Sequence, residues 1–157
     1  MRTFLALVTL ILIVSVGIAL HAGTTVAGAR PSGFTATIRV VEHNTTGVVT
    51  DTGAKGDSAG DILTYANGLY NAGNTRKVGS DNGYCVRTVV GETWECSWTA
   101  FLPGGLITVQ GPFLDTRPSK VIITGGTGKY SRATGWMDLK ARNDKGTEYD
   151  FVYHLQN

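Results

Sequence analysis

The chain has 157 residues, with 14 Lys and Arg, 12 Asp and Glu, 21 Gly, 4 Pro and only 2 Cys. That length suits a single domain. The near balance of charge, without any basic run, gives no electrostatic case for a nucleic-acid partner.

Residues 1–29 read as a leader. Met1-Arg2 is a short basic start, Phe4 to Leu20 is almost wholly apolar, and Ala27-Gly28-Ala29 has the small residues a signal peptidase reads, with cleavage expected before Arg30. The competing reading is a retained anchor, because the apolar stretch approaches spanning length. Either way the folded part, residues 30–157, is expected outside the cytoplasm as one secreted domain with no membrane contact once the leader is removed.

From Phe34 the pattern is that of short strands. Phe34, Ala36, Ile38 and Val40 alternate with Thr35, Thr37 and Arg39, so the even positions form a buried face. Glu42 and Asn44 continue that parity. Either an acid and an amide enter an apolar interior, where burial is costly unless they are paired, or the strand stops at Val41 and both meet water. Asn44-Thr45-Thr46 is also a glycosylation sequon. A sugar there would be incompatible with Asn44 inside the protein.

Gly47 to Gly60 has the composition of a mobile loop. As a bland connector it needs no function; placed directly after Glu42 and Asn44, it could also cover a site they form. Asp61 to Asn67 gives a short strand, followed by a Gly/Asn-rich segment. Gly83 to Val90 and Trp94 to Leu102 form a hairpin around Gly91-Glu92, and a loop centred on Val90-Gly91 sets Cys85 opposite Cys96. In an exported domain this pair is most simply a disulfide.

Gly104 to Tyr130 (GGLITVQGPFLDTRPSKVIITGGTGKY) holds two β-branched runs between glycine and proline breaks, a strand–corner–strand–turn unit. Gly125-Gly126-Thr127-Gly128-Lys129 invites comparison with a phosphate loop. However, Ile123 occupies the place of the first required glycine, and a period-2 strand follows where a helix should start. Gly135, Met137, Leu139 and Ala141, then Tyr149, Phe151, Tyr153 and Leu155, supply the inward faces of the last two strands. Seven or eight strands with no convincing amphipathic helix imply an antiparallel sheet closed or nearly closed on itself, with a sandwich as the rival architecture.

No metal set is visible: His21 lies in the leader, and His43 and His154 are isolated on outward parity. No serine sits in a nucleophile elbow. What remains is an interior lined by Phe34, Ile38, Met137, Leu139, Tyr149, Phe151 and Tyr153, with Glu42, Asn44 and Asn67 as its few polar groups. Such a list describes an apolar ligand cavity and a filled core equally well.

GDILTYANGLY (Gly60–Tyr70), GYC (Gly83–Cys85), LITVQGPF (Leu106–Phe113) and ITGGTGKY (Ile123–Tyr130), ending in Gly135, stand in order and at nearly the spacing found in one group of proteins. Here the sequence resembles the allene oxide cyclase and dirigent superfamily. The resemblance implies an all-β, eight-stranded antiparallel barrel, often a homotrimer, whose hydrophobic cavity holds a small molecule. It also implies catalytic roles for Glu42, Asn44 and Asn67, with Cys85 on the cavity wall. In the cyclase mechanism so implied, an epoxide opens, carboxylate and aromatic groups stabilise the delocalised cation, and the cavity shape enforces ring closure, with no cofactor. Three features depart from the cyclase pattern: Phe113 replaces a tyrosine, Cys96 pairs the cavity cysteine, and the export signal fits the dirigent-like branch better.

The expected function is therefore a secreted barrel that binds a hydrophobic small molecule and directs a cyclisation or stereoselective coupling, an isomerase-like activity. The alternatives are a non-catalytic, lipocalin-like carrier and an extracellular structural or interaction protein.

Overall fold

A computed structural model describes residues 35–156. The leader and Phe34 lie outside the described residues. The chain forms nine strands: β1 (Thr35–His43), β2 (Val48–Thr50), β3 (Ile62–Asn71), β4 (Lys77–Val89), β5 (Thr93–Leu102), β6 (Gly105–Leu114), β7 (Ser119–Gly126), β8 (Thr134–Ala141) and β9 (Glu148–Gln156), with one 3₁₀ turn at Gly128–Tyr130. All neighbours are antiparallel, in the order β1-β9-β8-β7-β6-β5-β4-β3, and a β1–β3 pairing closes the ring. The architecture is an eight-stranded barrel, not a sandwich.

β2 adds nothing to the ring count. β1 pairs with the second half of β3 (Gly68 to Asn71) and β2 with its first half (Ile62 to Thr64), so the two share one edge across a break at residues 44–47. Closure leaves the ring without a free edge along most of its length.

Inside, alternation holds as the sequence suggests. Met137, Leu139, Phe151, Tyr153 and Leu155 are buried, and Cys85, Trp98, Ile107, Val109, Val121 and Ile123 complete the core. Large interior side chains need room opposite them. A side chain at Gly83, directly across from Trp98, would collide with the Trp98 Cβ and the Ser97 carbonyl.

Three local expectations change. β6 does not stop at Gly111-Pro112 but runs through them to Leu114. Gly111 takes φ +145°, a conformation open to glycine, and a Cβ there would crowd the Val121 backbone. β3 is ten residues long instead of a short strand ending at Asn67.

The Gly47–Gly60 segment is the third. It contains β2, and its remainder is tied down from both sides. Asp61 accepts the backbone N–H groups of Thr52 (3.0 Å) and Ser58 (2.8 Å) and the Ser58 hydroxyl (3.0 Å). Asp57 accepts Arg87 Nε (2.7 Å) and the Gly91 amide (2.8 Å). Arg87 Nη1 also reaches Asp115 Oδ2 (2.7 Å), and its guanidinium lies 4.0 Å from the centre of the Trp94 ring. Polar composition marks this segment as surface, but its aspartates make it a clamped strap.

Candidate functional site

The β1–β2 break, the β8–β9 turn and the β6–β7 link gather at one end of the barrel, joined by the Asn44 amide donating to the Thr147 carbonyl (3.0 Å). A cavity of about 90 Å³ enters the barrel near these links. Its walls are aromatic and aliphatic: Leu63, Tyr65, Trp98, Phe113, Leu139 and Tyr149, with Phe151 and the Cys85–Cys96 bridge behind. Outside it, a wider vestibule of about 390 Å³ shares Phe113, Leu139 and Tyr149 and is edged by Arg117, Lys140 and Arg142.

The polar anchors converge on one wall. Glu42 is only 5% exposed and Asn67 only 4%. Asn67 Nδ2 donates to Glu42 Oε1 at 2.7 Å. The same amide turns its oxygen to the barrel edge, where Oδ1 accepts the Thr45 N–H (2.9 Å), the Thr46 N–H (3.2 Å) and the Thr46 hydroxyl (3.2 Å). Asn67 therefore fills the gap in pairing left by the β1–β2 break while it holds the acid. Its own capacity is largely used, which makes it a brace for Glu42. Asn44 stands past the end of β1, half-buried at the mouth, with Nδ2 donating to the Gly146 carbonyl (3.2 Å).

Of the residues expected to line the interior, Phe113, Tyr149 and Phe151 border the cavity together with the three anchors. Met137 and Tyr153 are inward but fully buried in the core beyond it, and Ile38 packs half-buried against that core. His43 and His154 do face outward, but neither is isolated. His43 stacks on Tyr70 and shares a 2.6 Å hydrogen bond with Asn74 Oδ1, while His154 stacks on Trp136 and lies 2.9 Å from Asp138.

Burial governs the chemistry of Glu42. Removal from water raises its carboxyl to about 7, against smaller opposing contributions from the Asn67 hydrogen bond and from His43. The neighbouring phenols respond in the same direction. Burial raises Tyr65 and Tyr149, and the charge of Glu42 adds to both, with Asp81 also acting on Tyr65 and Asp115 on Tyr149. A carboxyl poised near neutrality beside aromatic faces can give or accept a proton, or stabilise a developing cation, without solvent reorganisation.

Sequence reasoning missed Leu63, Tyr65, Trp98 and Asp81. Parity alone would have found Leu63, Tyr65 and Trp98, and Asp81 too once Gly79 to Gly83 is taken as strand and not as turn. Leu63 and Tyr65 precede Asn67 by four and two residues, Trp98 follows Cys96 by two, and Asp81 precedes Cys85 by four. In a strand, each such step returns to the same face.

No family model matches the chain. Among solved structures it is similar to a pyocyanin demethylase, at 25% identity and TM-score 0.65, over 75% of this chain and all of that one. A pterocarpan synthase dirigent protein, GePTS1, aligns at 15% identity and TM-score 0.67 over 82% of this chain and 86% of its own. The Diels-Alderase AbmU from Streptomyces koyangensis aligns at 14% and TM-score 0.60, over 83% and 69%. The fold is the eight-stranded dirigent-like barrel.

Proposed function

We propose that this barrel is an exported small-molecule catalyst. It takes one ring or unsaturated end of an apolar substrate into the inner cavity, leaves the rest in the vestibule, and uses Glu42 for proton transfer or cation stabilisation during a cyclisation or stereoselective coupling. The observation that carries this reading is a single buried carboxyl, gripped by Asn67 at 2.7 Å and opening onto an aromatic cavity. An acid without a ligand-related role would be a costly occupant of such a site. The activities of the similar proteins, a demethylase of pyocyanin, a pterocarpan synthase and a Diels-Alderase, support a polycyclic or polyunsaturated substrate. Export is supported by the basic and apolar leader together with the Cys85–Cys96 bridge.

Trp98 lines the cavity, so its fluorescence reports occupancy. The test is a panel of planar aromatic and polyunsaturated compounds, pyocyanin included, titrated against the purified domain and followed by product analysis. For a compound that is bound and converted, Glu42→Gln should keep affinity within a few-fold and lower turnover by about 10² or more, the range of a lost general acid or base. Undiminished turnover in Glu42→Gln would remove the carboxyl from the mechanism. Binding with every compound recovered unchanged would make the protein a carrier.

A further inference from the structure

Beyond the cavity wall, the barrel interior holds a second acid that the site does not use directly. Asp81 on β4 stands opposite Asn67 on β3, and across its other edge opposite Ala100 on β5. It points inward on the same face as Gly83 and Cys85, is 1% exposed, and does not border the cavity. Neither of its carboxyl oxygens has a hydrogen-bond partner in the protein. The backbone amides of Asn67 and of Asp81 itself favour its ionised form only weakly, outside hydrogen-bond geometry.

An ionised carboxylate without partners in such a place is too costly to persist, so the group stays protonated or is compensated by a neighbour's state. The charged and titratable groups around the pair are few. On β1 there is Glu42 itself, with His43 on the outer face beside it. On β3 there is Tyr65, and on β9 Tyr149 and Tyr153. Among the described residues, no lysine or arginine acts on either acid. Trp98 Nε1 and the Tyr153 hydroxyl, both buried nearby, also lack hydrogen-bond partners.

We propose that Asp81 is a positioning residue for Glu42: the two buried carboxyl groups on either side of Asn67 titrate as one pair, and the proton kept by Asp81 allows Glu42 to ionise alone. The proposal rests on the reading of Glu42 as the acid–base group of the cavity. Like charges sharing a dry site cannot both form cheaply, so ionisation of one holds the other neutral. Burial followed by the charge of Glu42 raises Asp81 to about 8, above Glu42, which is the order such a pair requires. Asn67, hydrogen-bonded to Glu42 and in register with Asp81, keeps the spacing fixed.

The test needs no ligand, so its failure is distinguishable from failure of the proposed function. The side-chain carboxyl ¹³C resonances of Glu42 and Asp81 are followed from pH 3 to pH 10 in the wild type, in Asp81→Asn and in Glu42→Gln. The wild type should show both groups titrating far above ordinary carboxyls. Because Asp81 is still neutral while Glu42 ionises, Asp81→Asn should leave the Glu42 midpoint nearly in place, whereas Glu42→Gln, which removes the charge opposing ionisation of Asp81, should lower the Asp81 midpoint by about one pH unit, a tenfold shift in its ionisation equilibrium. A merely structural aspartate would keep the same midpoint in Glu42→Gln. Should Asp81→Asn fail to fold, Glu42→Gln alone decides. An Asp81 midpoint that does not move in that variant, or wild-type midpoints near 4 for both groups, would overturn the proposal.

Discussion

Two clusters of buried charge lie on the inward parity of this barrel, and they are built in opposite ways. At the strap, Arg87 is 8% exposed, and its guanidinium is matched by two carboxylates and an indole face. At the cavity, Glu42 has one strong donor and Asp81 none. The first arrangement satisfies its charges and spends their attraction on holding a segment in place. The second leaves charge undercompensated, where it lifts proton affinity instead of adding rigidity. Buried ionic groups that stabilise a fold are surrounded by partners. Groups kept for chemistry are starved of them.

The sharpest way to break this contrast is to disarm each cluster and compare stabilities. Arg87→Ala should cost about 3 kcal/mol in urea unfolding, because it strands Asp57 and Asp115 and strips the stem from Trp94. It should also expose the strap around Lys55 to trypsin. Glu42→Gln removes a charge that a single hydrogen bond compensates only in part and should leave stability at pH 8 unchanged or higher. If both variants lost equal stability, the two clusters would not differ in kind.

The pH dependence of folding tests the same difference from the other side. In the unfolded chain both acids ionise in the ordinary range near 4. In the barrel burial holds their protons to about 7 for Glu42 and about 8 for Asp81. Over that interval the native state binds more protons than the unfolded one, so stability falls as pH rises from about 4 to about 8. Each pH unit between a group's unfolded and folded midpoints is worth about 1.4 kcal/mol, so the loss over both groups should be several kcal/mol, measured as the shift in urea midpoint. A Glu42→Gln/Asp81→Asn double variant should flatten the slope, whereas Arg87→Ala should lower the whole curve and keep its shape.

Much of the fold was legible because period-2 alternation survives wherever one face is buried. Met137 to Leu139 and Phe151 to Leu155 declare their inward faces, and Cys85 and Cys96 could be paired by counting out from a loop centred on Val90-Gly91. Glu42 and Asn67 were legible as polar residues on or near such faces. What stayed hidden depends on contacts made far apart in sequence. Nothing local in GVVTDTGAKGDSAG announces that Asp57 will meet an arginine thirty residues on. Asp81 sits in a run of small polar residues, Gly79-Ser80-Asp81-Asn82-Gly83, whose composition reads as a turn although β4 passes straight through it. Closure itself was expected, but not which strands make it: the β1–β3 pairing joins segments on either side of the strap.

Asn67 links the cavity to the barrel edge, so its removal should fall between the two extremes. Asn67→Ala would leave the Thr45 and Thr46 amides to find water at a partly exposed edge and would free Glu42 Oε1. The expected cost is about 1–2 kcal/mol, that of a hydrogen-bonded polar side chain serving several donors. Because Asn67 also stabilises the ionised form of Glu42, its loss should move the Glu42 midpoint upward, whereas Asp81→Asn should leave it nearly in place. A carboxyl ¹³C titration of the folded variant distinguishes this from simple loosening of the mouth.

The smallest expected effect concerns Phe113, which meets Tyr149 edge-on at 5.8 Å between ring centres and is shared by the inner cavity and the vestibule. Phe113→Tyr would supply the hydroxyl that this site lacks relative to the cyclases it resembles. The ring is half-buried at the cavity wall, so the added oxygen can reach water, and stability should change by less than about 0.5 kcal/mol. Ligand recognition should respond more than folding does. A substrate that presents an oxygen at the cavity entrance should gain up to about tenfold in affinity, the value of one added hydrogen bond, and a hydrocarbon-ended one should gain nothing. Trp98 fluorescence titrations with matched pairs of such ligands would measure the split. An equal effect on both members of a pair would mean that the substrate's polar end turns away from Phe113 and lies inward against Glu42.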